Sequence, residues 1–159
     1  MAFWSANTLE PLRKFRFQIQ FGSGEGDIMW WAKSVTQPSL DVSMSEHQLI
    51  NHKIKYPGIV TWNDIDITLV DIGEKGKQFY KELTDYGYKF EGPKDGIIKE
   101  QFKGKVLNIQ KLNAAGTTIE TWNLINPFIK SIKYGDLDYS SDDLLEITIT
   151  VAYDSATLT

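Results

Sequence analysis

Four groups of residues have types and spacings that could do chemistry. The run DLDYSSDD (136–143) sets Asp136, Asp138, Ser140 and Asp142 at alternate positions, as the first ligands of a calcium loop would be. Such a loop needs a glycine at its sixth position and a bidentate Glu at its twelfth, and those positions hold Ser141 and Ile147. The run reads instead as a solvated acidic turn. Asp64 and Asp66 lie two apart on a predicted strand, which sets their Cα atoms roughly 6–7 Å apart, near the spacing of a glycosidase carboxylate pair. No general base or nucleophile accompanies them, and alternating acids on a strand mark a wet face. His47 and His52 lie in a segment read as loop then strand, without the cysteine or placed carboxylate that a metal or catalytic centre would add. GSGEGD (22–27) contains G-x-G-x-G but lacks the Gly-Lys-Ser/Thr ending of a phosphate loop. Glu25 and Asp27 would repel phosphate, so a hairpin loop is the better reading. The sequence predicts no enzyme, no metal site and no cofactor.

Composition sets wider limits. The chain has 159 residues, which predicts one domain over 1–159 that buries enough surface to fold unaided. It has no cysteine, so disulfides and thiolate metal sites are excluded. A formal net charge of -4 and a pI near 5.2 argue against a dedicated nucleic-acid binder. The first residues lack the charged start and apolar run of a secretory signal, and no apolar stretch approaches a membrane span. The expectation is a soluble protein that stays where it is made.

The elements that must position these residues are mostly strands. KFRFQIQF (14–21) alternates, with Phe15, Phe17, Ile19 and Phe21 on one face. IMWWAKSV (28–35) reads as its returning partner. TQPSLDVSMSEHQ (36–48) is polar and broken by Pro38, and reads as loop; LINHKIKY (49–56) reads as strand. DIDITLVDI (64–72) alternates again, with Ile65, Ile67 and Leu69 on one side and Asp64, Asp66 and Thr68 on the other. The period changes in 71–90, where Phe79, Leu83 and Tyr86 fall at helical spacing. Asp71 and Glu74 resemble a capping box and Gly87 a stop, so one amphipathic helix is predicted over about 74–86. Residues 104–113 and 117–126 form a predicted hairpin about Ala114-Ala115-Gly116, and PFIKSIKYG (127–135) leads on to LLEITITVAY (144–153). The latter sets Leu145, Ile147, Ile149, Val151 and Tyr153 on one face. The fold class is mainly β, an antiparallel sheet protein with a single helix.

YPGIVTW (56–62) is punctuated like a loop and loaded like a core. Pro57-Gly58 signals a turn, yet Tyr56, Ile59, Val60 and Trp62 surround it. Turn tips facing only water carry Asp, Asn, Ser or Lys instead. The reading is burial against a partner, as exposed aromatic and apolar residues imply. Trp4 and the Trp30-Trp31 pair, whose members strand alternation sends to opposite faces, add to this aromatic surplus. A carbohydrate-binding β-sandwich is the alternative from a different class, since it too would expose tryptophan.

The order of PLRKFRFQIQF, KSVTQPSLDVSMSE, HKIKYPGIVTWNDIDITLVD and SIKYGDLDYSSDDLLEITITVAYD resembles the tail tube proteins of contractile-tailed (myovirus-type) bacteriophages, from about Pro11 to Asp154. That resemblance implies an antiparallel β-sandwich that contributes to a β-barrel. Six-fold rings of it would stack into a hollow tube in the virion, assembled in the bacterial host cytoplasm. A tail sheath protein, baseplate proteins and a tail terminator would be its partners, with DNA passing through unbound and no membrane insertion. A tube initiator ring next to the baseplate, or the inner tube of a contractile injection system, would share the fold. The resemblance also implies a long inter-subunit loop or hairpin at about 36–63, which places Tyr56, Pro57, Gly58, Ile59, Val60 and Trp62 at a subunit or ring interface. Asp64, Asp66, Thr68, Glu146, Thr148 and Thr150 are the expected channel lining, because acidic and uncharged groups do not hold phosphate.

Overall fold

The structure is a computed structural model that describes residues 11–21, 32–74, 76–78, 80, 81 and 105–159. Its ten strands are β1 (Phe17–Phe21), β2 (Ala32–Val35), β3 (Leu40–Leu49), β4 (His52–Trp62), β5 (Ile65–Val70), β6 (Val106–Leu112), β7 (Thr118–Ile125), β8 (Phe128–Tyr134), β9 (Glu146–Ala152) and β10 (Ser155–Leu158). They form two four-stranded antiparallel sheets, β1-β6-β7-β10 and β2-β5-β9-β8, and a separate two-stranded sheet, β3-β4.

Period-two patterning builds the body. In β5 every second residue, Ile65, Ile67 and Leu69, is buried, and in β9 the same holds for Ile147, Ile149 and Val151. The first sheet supplies Ile19, Leu107, Ile109 and Leu124 to the same apolar cluster. Fully burying an Ile or Leu side chain stabilises by about 1.5–3 kcal/mol, so these positions fix the register of both sheets. Asn113 shapes the β6–β7 turn: its side-chain oxygen accepts from the backbone N–H of Ala115 and of Thr117, each at 2.9 Å. Asn126 holds the tight passage from β7 to β8 with a left-handed φ of 53°, and its side-chain amide donates to Asp154 at 3.0 Å.

Several expectations are corrected. Phe15 is 75% exposed and precedes β1, so only Phe17, Ile19 and Phe21 of the alternating run turn inward. The stretch read as a loop, 36–48, is mostly strand, since β3 starts at Leu40. Leu49 ends β3 rather than opening a strand, and the chain turns at Ile50-Asn51. Pro57-Gly58 therefore lies inside β4 and is no turn. The short edge strand β10 had no signal in the sequence reading. Of the expected helix, residues 76–78, 80 and 81 are helical, while Lys75, Phe79 and everything from 82 to 104 lie outside the described residues. Trp4, Trp30, Trp31 and the 22–27 loop lie outside them too.

Candidate functional site

Among the described residues, the β3–β4 hairpin forms a sheet of its own, outside both four-stranded sheets. Its strands run to roughly 33 Å at about 3.3 Å per residue. It leaves from the end of β2 and returns into β5, and these are neighbours in one sheet. Two backbone hydrogen bonds tie its base: Thr36 N–H to the Asp66 carbonyl at 2.9 Å and Asn63 N–H to the Ser39 carbonyl at 3.0 Å. The Asn63 amide also donates to Asp41 at 2.8 Å and to Ser39 Oγ at 3.0 Å.

The register shows what the arm presents. Leu40 faces Trp62, Val42 faces Val60, Met44 faces Pro57, and further out Glu46 faces Lys55 and Gln48 faces Lys53. The opposite face carries Tyr56 across from Ser45 and Ile54 across from His47. Between Val42 and Met44 the ladder shifts, because Gly58 and Ile59 together oppose Ser43. The bulge explains both unusual residues. Proline tolerates a strand only where no ladder N–H is needed, as at an edge or bulge. Gly58 is needed for space: a β-carbon there would lie 2.4 Å from Ser43 Oγ and 3.3 Å from the Ser43 carbonyl oxygen. Ser43 Oγ meanwhile accepts from the Ile59 N–H at 2.7 Å.

Tyr56, Pro57, Gly58, Ile59 and Val60 all lie exposed on this arm, with Ile59 at 78%. Trp62 differs. It is half-buried against the subunit's own core, and its ring meets Tyr153 at 6.0 Å between centroids with the planes tilted by 56°. Trp62 thus anchors the base of the arm rather than belonging to its free surface. Sequence reasoning missed Leu40, Val42, Met44, Leu49 and Ile50, all exposed on the same arm. Their signal was the alternation Leu-Asp-Val-Ser-Met-Ser, masked by its polar residues and by Pro38.

The second group converges on one surface. Register pairs Asp66 with Thr150, Thr68 with Thr148, and Val70 with Glu146, all on the side of the β2-β5-β9-β8 sheet away from the core. Asp64 stands just before β5. Its acids are not free, however. Lys130 donates to Asp64 at 2.6 Å, and that bonded carboxylate raises the Lys130 ammonium above its ordinary pKa. Lys33 pairs with Glu146, and the Thr150 hydroxyl donates to Asp66 at 2.7 Å. Two of the three carboxylates are thus paired with lysines and the third is held by a hydroxyl. Among the described residues, no three or more His, Asp or Glu side chains converge as a metal site.

The model of the family "T4-like virus tail tube protein gp19" matches residues 13–157. The chain belongs to the T4-like tail tube family. Its fold also matches solved structures. A chain from the sheath/tube terminator of an extracellular contractile injection system, PVC, in its extended state aligns with a TM-score of 0.74 at 22% identity, covering 96% of this chain and 99% of that one. A chain from the tube-terminating cap of the anti-feeding prophage aligns at 0.75 and 20% identity, over 100% and 99% of the two chains. Hcp1 from Flavobacterium johnsoniae aligns at 0.54 and 12% identity, over 91% and 94%. No curated protein matches the chain. At these identities the structural likeness is one of fold, and the family assignment makes the chain a structural tail tube component of contractile particles.

Proposed function

We propose that this chain, as one domain, forms hexameric rings that stack into the inner tube of a contractile tail, a conduit through which genome passes into the host. The observation that carries the reading is the arm: a long two-stranded hairpin, outside both four-stranded sheets among the described residues, with exposed apolar side chains beyond its base. An isolated two-stranded hairpin is marginal in water and gains stability from a surface to lie on. A neighbouring subunit or ring supplies that surface for Tyr56, Pro57, Gly58, Ile59 and Val60. Among the described residues both sheets end in edge strands, and joining such edges between successive subunits closes a ring and leaves none open to stray pairing.

In this reading the β2-β5-β9-β8 sheet faces the channel, because it is the sheet whose strands run on into the stacking arm. Asp64, Asp66, Thr68, Glu146, Thr148 and Thr150 then line the wall. Lysines that are already paired with acids have little to offer phosphate, so counterion release is small and DNA slides. The sheath surrounds the tube, and baseplate and terminator proteins close its two ends.

Mass photometry and negative-stain microscopy of the purified protein test this. Hexamers and stacked tubes are expected, with ~2,000 Å² or more buried per neighbouring pair. Replacing Ile59 and Val60 by Asp should leave rings and the β-rich circular dichroism spectrum intact but abolish stacking, since an uncompensated carboxylate buried in an interface costs several kcal/mol. A stable monomer at every salt concentration that binds glycans would instead favour a carbohydrate-binding sandwich. Rings that never extend would favour an initiator or terminator role.

A further inference from the structure

We propose that the exposed loop of residues 136–144 is the socket that receives the arm of a second copy of this chain in the adjacent ring. The inference rests on the tube reading and names the surface on which the arm docks.

The strand register gives the subunit two distinct ends. The arm joins Val35 to Ile65, at the end of the β2-β5-β9-β8 sheet that also holds Phe128 and Val151. The 136–144 loop joins Tyr134 to Glu146, at the opposite end, where Leu69 and Val70 finish β5. Donor and socket at opposite ends make a heterologous contact, which repeats as an open stack instead of closing on itself.

The loop is built to present rather than to pack. All nine of its residues are exposed, and Leu137, Tyr139 and Leu144 stand 86%, 112% and 73% open. Its shape is nevertheless set by its own hydrogen bonds. Asp138 Oδ1 accepts from the Ser140 N–H at 2.9 Å and from the Ser140 hydroxyl at 2.8 Å, and Ser141 Oγ donates to Asp143 at 3.1 Å. Those bonds to Ser140 hold the Asp138 carboxyl below its usual pKa, so it stays charged. Beside the loop runs an open groove lined by Lys33, Val70, Gly135, Leu144, Leu145 and Glu146. Three large apolar side chains without cover beside a groove make a docking surface.

Charge selects the occupant. The loop carries Asp136, Asp138, Asp142 and Asp143 and no Lys, Arg or His. The outer half of the arm carries Lys53 and Lys55 against Glu46 alone, which pairs with Lys53 at 3.4 Å. The arm also supplies apolar partners for the loop in Ile50, which is 96% exposed, and Leu49. Opposite charge at the rim with apolar groups between them fixes register and rejects wrong pairings.

A charge swap tests the assignment. Asp136→Lys with Asp142→Lys leaves the bracing residues Asp138 and Asp143 in place, and Lys53→Glu with Lys55→Glu reverses the arm. Mass photometry counts hexamers, and sedimentation measures tube mass. Each double variant should form hexamers yet lose tube mass about tenfold, and the quadruple variant should regain it to within about twofold. Tube mass unchanged in the loop variant, or no recovery in the quadruple variant, overturns the proposal. Loss of hexamers in the loop variant would place the loop in the ring contact and overturns it too. Absence of hexamers and tubes from the unaltered protein would instead sink the tube reading itself.

Discussion

Trp62 and Ile59 sit three residues apart on one strand and do different jobs. The indole of Trp62 packs on the core and on Tyr153, whereas Ile59 is mostly exposed. Removing a packed aromatic costs about 3–5 kcal/mol, while truncating an exposed side chain changes stability by less than about 0.5 kcal/mol. Trp62→Ala should therefore lower the denaturant midpoint of the isolated subunit strongly, and Ile59→Ala should not move it. Equal losses in urea titration would mean that Ile59 also belongs to the subunit's own core. The sequence pointed to both residues through one aromatic-rich stretch. It could not separate them, because burial depends on Tyr153, which is distant in sequence and meets Trp62 only once β9 has paired with β5.

At the scale of elements, the strands with strict alternation and one buried face were legible: β5, β9 and the β6–β7 hairpin all appear close to their expected places. The arm was less so. A strand exposed on both faces has no core to impose alternation, so β3 looked like polar loop and a mid-strand bulge looked like a turn. Asp66, Thr68, Glu146, Thr148 and Thr150 share the outer face of one sheet, as alternation implied, but the lysines paired with this group were not foreseen. Lys33 and Lys130 reach Glu146 and Asp64 from the two flanking strands, each at a register shift that sequence does not announce. Those pairs sharpen a prediction. Converting Asp64 and Asp66 to Lys adds positive charge and also strips Lys130 of its partner, so the wall becomes basic around the whole ring. Assembled tubes of this variant should retain DNA at low salt and release it steeply as salt rises, since each phosphate contact contributes a slope of about -0.9 on the double-logarithmic plot. Filter binding over a salt series up to about 0.5 M, where exposed charges are screened beyond roughly 4 Å, measures it. Tubes that ignore DNA would place this sheet on the outside, and tubes that fail to form would place these aspartates in a subunit contact.

Among the described residues, two sheets packed on one core carry an exposed arm at one end and an exposed apolar, acidic loop at the other. Each is costly for a protein meant to remain alone, and together they describe a subunit that completes itself in its neighbours. In a chain of net charge -4, the lysines on the outer half of the arm carry the opposite sign to the 136–144 loop proposed as its socket. Whether rings stack through this arm is visible in a helical cryo-electron reconstruction of assembled tubes. Ile59 and Val60 should be buried on the adjacent ring, Ile50 should lie beside Tyr139 of the copy there, and Thr68, Thr148 and Thr150 should face the channel. An arm folded back over its own sandwich, or lying free between rings that stack through other strands, would contradict stacking through the arm.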